Sequence, residues 1–253
     1  MRYLAILVIP LLLSVMPAYA GSKVSTNLSL KNMKAKDFYT DEVQIAFVES
    51  VGKKSVARMS EWLARGGDVN AIGKQDMHPL FWAMSKKSLV GFEFLLENGA
   101  DPGASISSDD GKVAYDIYEV AVRSEDPSYL RLLLKHGMSP DHPIAFNGNT
   151  VMHTAITNSR IEQVRLLIES GANLNHQDGS GETPVGKASG INNYTMVLLF
   201  LQHGADPSLK DKWGYDLAAN IERFGYRGID HGKQSRKDYD KVVEILKGRG
   251  LLN

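Results

Sequence analysis

The chain has 253 residues, 29 Lys and Arg against 29 Asp and Glu, 43% hydrophobic residues and no cysteine. A near-neutral balance gives no electrostatic pull toward nucleic acid, whose binding draws on clustered basic side chains. The lack of cysteine excludes disulfides and attachment through a lipidated cysteine.

In chain order, Arg2 precedes an apolar run from Leu4 to Leu13, and Pro17-Ala18-Tyr19-Ala20 then places small residues three and one positions before Gly21. This is the pattern of a secretory signal peptide over residues 1–20, cleaved after Ala20. An uncleaved anchor is the other reading, since about 18 apolar residues could just span a bilayer, but Pro10 and the small-residue exit favour cleavage. Without residues 1–20, and so without Arg2, 28 Lys and Arg face 29 Asp and Glu, a net charge of −1. Residues 21–40 carry Lys23, Lys31, Lys34 and Lys36 with few large apolar side chains, which predicts a tether or loosely attached arm.

From Asp41 on, Val43 to Val48 predicts a helix, and Val56, Met59, Trp62 and Leu63 predict a second. Gly66-Gly67-Asp68-Val69-Asn70 follows, and the phrase returns as Asn98-Gly99-Ala100-Asp101-Pro102, His136-Gly137-Met138-Ser139-Pro140, Gly171-Ala172-Asn173-Leu174-Asn175 and His203-Gly204-Ala205-Asp206-Pro207. Gly66, Gly99, Gly137, Gly171 and Gly204 are 33, 38, 34 and 33 residues apart, the period of a helical solenoid. Glycine reaches the left-handed conformation that a helix end favours, so each anchor predicts a C-terminal cap followed by an extended turn. Twenty-one residues before an anchor stand His78-Pro79-Leu80, Asp116-Ile117-Tyr118, Thr150-Val151-Met152 and Thr183-Pro184-Val185, and five further on stands Ala83, Ala121, Ala155 or Ala188. One such helix pair has two apolar flanks and cannot bury them alone, so the copies must stack.

These phrases closely resemble the ankyrin repeat, whose signature is Thr-Pro-Leu-His-x-Ala, a second helix ending Leu-Leu-Leu, then Gly-Ala-Asp. The resemblance runs from about residue 43 to about 250 and implies an all-α solenoid of stacked helix pairs joined by β-turn or hairpin loops. It gives about six repeats with atypical end caps in one domain over residues 41–253. The third copy holds about five extra residues around Ser107 to Gly111, expected in a projecting turn. The last copy separates its helices by a polar insert from Phe224 to Asp240, which either caps the end or serves recognition.

Catalytic patterns fail on inspection. His78 and His153 belong to the helix-opening phrase, and His136 and His203 precede Gly caps, where histidine interacts favourably with the carbonyl end of a helix. His142, His176 and His231 stand in separate turns without metal-ligand spacing. Asp178-Gly179-Ser180-Gly181 lacks the flanking glycines of a serine nucleophile elbow. Asp68, Asp101 and Asp206 recur at the repeat period, which suits turn hydrogen bonding. The expectation is therefore no enzyme, no catalytic residue, no cofactor and no metal.

In ankyrin proteins, turn tips and the exposed side of each first helix grip protein partners. Carried over, this resemblance implies contacts at Lys74 and Met77, at Ile106 and Tyr115, at Phe146 and Asn147, and at Lys212 and Trp213, with Asn158, Ile191 and Asn192 beside them. For the aromatic residues, packing against the next repeat is the alternative to partner contact. An exported ankyrin protein of this kind resembles two sorts of bacterial periplasmic protein. One is the immunity protein that neutralises a toxin, notably a lipase effector delivered by type VI secretion. The other supports a catalase in oxidative-stress defence. No residue decides between them, and a small stand-alone binder suits blocking one enzyme. The expectation is a periplasmic monomer that binds a protein partner, binds no nucleic acid and, once cleaved, has no stable membrane insertion.

Overall fold

The computed structural model describes residues 33–107, 114–144, 147–225 and 232–252. The leader, most of the arm, the centre of the expected insertion and Phe146 lie outside the described residues. The chain divides into two compact units, the first ending at Gly137 and the second beginning at Met138.

The first unit holds three helix pairs: α1 (Glu42–Gly52) with α2 (Val56–Ala64), α3 (Pro79–Ser85) with α4 (Leu89–Glu97), and α5 (Ile117–Arg123) with α6 (Ser128–Lys135). Their starts follow from side chains that replace missing backbone acceptors. Asp41 accepts from Gln44 N–H at 2.8 Å, Asp116 accepts from Glu119 N–H at 2.7 Å, and Pro79 opens α3 with a preset φ and no donor to satisfy. α1 packs on α3, α2 on α4 and α4 on α6, so first helices stack on first helices and second on second. Phe47, Phe81, Phe92, Leu95, Tyr118 and Leu130 fill the space between the layers. Where two layers come closest, a side chain would not fit: a Cβ on Gly91 would stand 2.7 Å from the Val51 carbonyl oxygen.

The second unit repeats the scheme with α7 (Val151–Thr157) and α8 (Ile161–Glu169), α9 (Pro184–Gly190) and α10 (Tyr194–Gln202), and α11 (Leu217–Phe224) and α12 (Gly232–Gly248). α7, α9 and α11 stack in sequence, and α10 packs on α12. Each unit is thus a short solenoid of helix pairs. The five anchor glycines have φ from 84° to 101°, as a left-handed helix end requires. Four of the six first helices are also followed by a left-handed residue, but without glycine: Lys54, Lys87, Ser159 and Asn192 have φ between 51° and 61°, whereas α11 ends on Gly225 at φ 56°.

Two regions depart from the sequence reading, and at a third, the insertion, its expected hairpin form is seen at the flanks. Residues 33–39 are not loosely attached: Met33, Ala35, Phe38 and Tyr39 are buried in the first unit. The five-residue insertion is flanked by a two-stranded antiparallel hairpin, β1 (Ser105–Ser107) and β2 (Ala114–Asp116), in which Ile106 faces Tyr115. Much of the polar insert after Phe224 is helical, because α12 begins at Gly232 and runs for 17 residues. Its polar side chains are used inward: Ser235 accepts from Tyr194 N–H at 3.2 Å, Asp238 accepts from Thr195 Oγ1 at 2.9 Å, and Tyr239 meets Tyr194 edge-on at 4.7 Å. This helix closes the end of the second unit.

Candidate functional site

The turns between pairs are built by aspartates and by main-chain bonds from tip to tip. Asp211 Oδ1 accepts from Trp213 N–H and Tyr215 N–H, both at 2.9 Å, and Asp178 Oδ1 accepts from Ser180 N–H at 2.8 Å and Glu182 N–H at 3.0 Å. Successive tips join through Gly179 N–H to the Asn147 carbonyl at 2.6 Å and Lys212 N–H to the Ser180 carbonyl at 2.9 Å. Asp68, Asp101 and Asp206 close turns in the same way, onto Asn70, Gly103 and Ser208 N–H groups at 2.8, 2.8 and 2.9 Å. Burial acts to raise the Asp178 carboxyl, but hydrogen bonds from Ser180 and Glu182, with the Lys187 ammonium, outweigh it and hold the group below its ordinary range.

His153 is a structural residue. Its Nδ1 accepts from Thr150 N–H at 3.2 Å, which leaves the proton on Nε2, 3.4 Å from the Glu182 carbonyl. Burial, aided by Lys187, pushes its pKa down to about 4. Among the described residues no cluster of three His, Asp or Glu side chains could hold a metal, and no helix is long and apolar enough to cross a membrane.

Of the expected contact residues, Lys74, Asn147, Lys212 and Trp213 are exposed. Trp213 stands out at 70% exposure. Three expectations are corrected. Met77 is 2% exposed because it lies under its turn, with its carbonyl accepting from Gly73 N–H and the Tyr39 hydroxyl. Ile106 is 1% exposed because the hairpin turns it into the core. Asn192 is 4% exposed, held in the left-handed link between α9 and α10, where Ser235 Oγ lies 3.4 Å from its carbonyl. The others are half-buried: Asn158 donates to the Thr154 carbonyl at 2.8 Å, Tyr115 lies 5.8 Å from the Arg123 guanidinium, and Ile191 caps α9. Phe146 lies outside the described residues.

The second unit adds residues that the sequence reading missed. Arg223, near the end of α11, places its guanidinium 4.8 Å from the Tyr215 ring and 5.1 Å from that of Phe224. Phe224 is 44% exposed. An aromatic residue followed by Gly225 at a helix end is a cue in the sequence, but it fell inside the insert. Lys212, Trp213, Tyr215, Arg223 and Phe224 thus form an aromatic and basic edge at the last turn and the end of its first helix.

Stacked helix pairs joined by hydrogen-bonded turns, with aromatic side chains held outward at a tip, define a helical-repeat binding scaffold. Residues 119–211 are ankyrin repeats, matching that family in three copies. It is similar to Protein PhlB of Serratia liquefaciens, 35% identical over 135 residues, which cover 53% of this chain and 57% of PhlB. The chain therefore spans little more than half the length of that relative. Among solved structures it resembles an ankyrin repeat domain from Acinetobacter baumannii, 24% identical, with a TM-score of 0.61 over 78% of this chain and 96% of that one. It also resembles the ankyrin repeat domain of Bcl-3, 20% identical, with a TM-score of 0.52 over 78% of this chain and 97% of that one. Ankyrin repeats make a protein–protein interaction module, typically a non-catalytic binding scaffold.

Proposed function

We propose that the chain is exported to the periplasm and acts there as an immunity or inhibitor protein that binds and blocks one protein partner, such as a secreted lipase effector. The observation that carries the binding site is Trp213, 70% exposed on a turn held by Asp211. A rigid indole loses little conformational freedom on docking, and buried aromatic anchors dominate interface energetics. Lys212 beside it, with Arg223 and Phe224 on α11, supplies the polar rim and further apolar surface. Export rests on the leader pattern ahead of Gly21, and the inhibitory role on the resemblance to stand-alone exported ankyrin proteins.

The test combines the chain beginning at Gly21 with a purified lipase toxin of the kind delivered by type VI secretion. Inhibition at near-equimolar ratio is expected, with Trp213→Ala weakening the complex at least tenfold while the melting temperature stays unchanged. Recovery of a catalase complex, with no effect on any lipase, would replace the inhibitory reading by a stress-defence one.

A further inference from the structure

Three stretches of main chain meet at one edge of the first unit, where its first helices hand over to its second. Ser88 Oγ, at the start of α4, donates to the Val51 carbonyl near the end of α1 at 2.6 Å, and a Cβ on Gly52 would stand 3.2 Å from Lys86 Cγ. The link after α1 therefore lies against the link after α3. Lys86 Nζ in turn donates to the Met33 carbonyl at 2.7 Å, which brings residues 33–37 to the same place.

Each stretch carries lysines: Lys34 and Lys36, Lys53 and Lys54, Lys86 and Lys87. Lys86 is half-buried and committed to Met33, while the other five are exposed. Two carboxylates lie among them. Asp37 accepts from Lys34 N–H at 3.0 Å and supports the charge of Lys86, and Glu49 pairs with Lys53 at 3.0 Å. The next carboxylates along the second helices, Glu61 and Glu93, are paired with Arg65 and Lys135. Positive charge is thus gathered at one edge of a chain that is neutral overall. The corresponding links Ser124-Glu125-Asp126, Asn158-Ser159-Arg160 and Ile191-Asn192-Asn193 carry no lysine. Beside the lysines stand two exposed apolar side chains, Val56 at 50% on α2 and Val90 at 45% on α4, each in the first turn after a link.

Lysine is a point charge on a flexible stem, suited to a diffuse layer of negative charge, whereas a fixed carboxylate is better met by arginine's planar fork. Lysines beside exposed apolar side chains form the kind of surface that lies at the headgroup boundary of a membrane. Position in the chain agrees, because the apolar run from Leu4 to Leu13, then Lys23 and Lys31, precede Met33 in the sequence.

We propose that this edge docks on an anionic membrane surface, with Lys34, Lys36, Lys53, Lys54 and Lys87 over the headgroups and Val56 and Val90 at their boundary with the acyl chains. Docking is peripheral and reversible, and inserts no segment into the bilayer. It goes beyond the inhibitory reading and uses neither Trp213 nor a protein partner, so either can fail alone.

The chain beginning at Gly21 is titrated with vesicles of phosphatidylcholine mixed with phosphatidylglycerol and, separately, of phosphatidylcholine alone, and binding is read by co-sedimentation. Binding to the anionic vesicles should be at least tenfold tighter, and should be lost at about 1 M salt, where the Debye length is only about 3 Å. One lysine held near such a surface strengthens binding about fivefold, so Lys54→Glu with Lys87→Glu should weaken it at least tenfold. Lys36→Glu with Lys53→Glu, at positions outside the left-handed region, should do the same and keeps the test open if the first pair disturbs folding. Lys212→Glu in the second unit should leave binding unchanged. Equal binding to both vesicles, no binding to either, or an equal loss from Lys212→Glu would overturn the proposal. So would retention of the chain by soluble polyglutamate without vesicle binding, which would give the edge to an acidic protein.

Discussion

The two units solve one problem with different materials. Both stack three helix pairs, yet the first is covered beside α1 and α3 by the segment Met33–Tyr39, which makes a 3-10 turn and whose Met33 and Phe38 carbonyls accept from Lys86 and Lys74, whereas the second closes its end with the long helix α12 through Ser235, Asp238 and Tyr239. At the turns the first unit puts two successive side chains into left-handed positions at Gln75 and Asp76, whereas the second uses Asn147 followed by Gly148, then Gly181 and Gly214. The difference teaches that the helix layers determine the repeat while the edges are free to diverge. What the molecule can bind is therefore set at its edges.

Four measurements would break or sharpen that comparison. If the cores are equivalent, Phe92→Ala in the first unit and Phe200→Ala in the second, both fully buried, should each lower unfolding stability by about 3–5 kcal/mol in urea denaturation. A loss below about 1 kcal/mol at either site would show that one unit lacks a packed core.

The Glu119–Arg123 pair of α5 is the next largest effect. It lies with side-chain exposures of 9% and 15%, whereas Lys135 and Glu93 pair at 61% and 38%. Arg123→Met leaves a buried carboxylate without its guanidinium and should cost about 3 kcal/mol, while Lys135→Met, at an exposed and solvent-screened pair, should leave stability nearly unchanged. Similar losses for both would refute the distinction.

The helix-opening histidines should respond to acid differently. Burial lowers the His78 pKa, but Asp76 and Asp101 support its charged form, whereas His153 faces Lys187. The folded His153 pKa of about 4 lies below the ordinary 6.5, so between these values the unfolded chain takes up a proton that the folded chain refuses. Its contribution is complete above pH 6.5 and falls toward pH 4, by up to about 3 kcal/mol. His153→Gln should flatten that limb of the stability profile. An unchanged slope would assign the acid loss elsewhere.

The smallest effects concern the turns. Gly99→Ala meets open space at φ 85° and should cost about 1 kcal/mol, while Gly181→Ala, at φ 80° with its Cβ 3.0 Å from Lys212 N, should cost more. Lys87→Gly, at φ 51°, should be neutral or stabilising by up to about 1 kcal/mol, since it relieves the left-handed strain but frees the unfolded chain. Destabilisation at Lys87 would show that its side chain holds the link between α3 and α4.

Much of the fold was legible because its signals are local. Gly66, Gly99, Gly137, Gly171 and Gly204 need a particular φ, and that need shows as a period in the sequence. The left-handed links at Lys54, Lys87, Ser159 and Asn192 were not legible, since Lys and Ser carry no such preference. The docking of Phe38 and Tyr39 was also hidden, because a lysine-rich stretch with two aromatics reads as tether until its acceptors are known. The first half of α12 was missed because its inward residues are Ser235 and Asp238, polar groups that satisfy α10 and so weaken the apolar pattern of a buried helix. Site reading failed for the same reason at Met77 and Ile106. Turn position placed them beside Lys74 and Trp213, and only the hairpin and the segment 33–39 decide which side chains face inward.

The tips of the second unit are joined by amides and carbonyls from Lys212 to Ser180 and from Gly179 to Asn147, with the side chains of His176 and Gln177 reaching the Gly148 and Lys210 carbonyls beside them. In each of these two joints the bond between tips is made by main-chain atoms of the residues that meet. Descendants of this chain can therefore exchange these residues, and so drift toward a new target, without relearning how to fold. A lineage pressed to follow a changing opponent could diversify at its tips first and leave its helices alone.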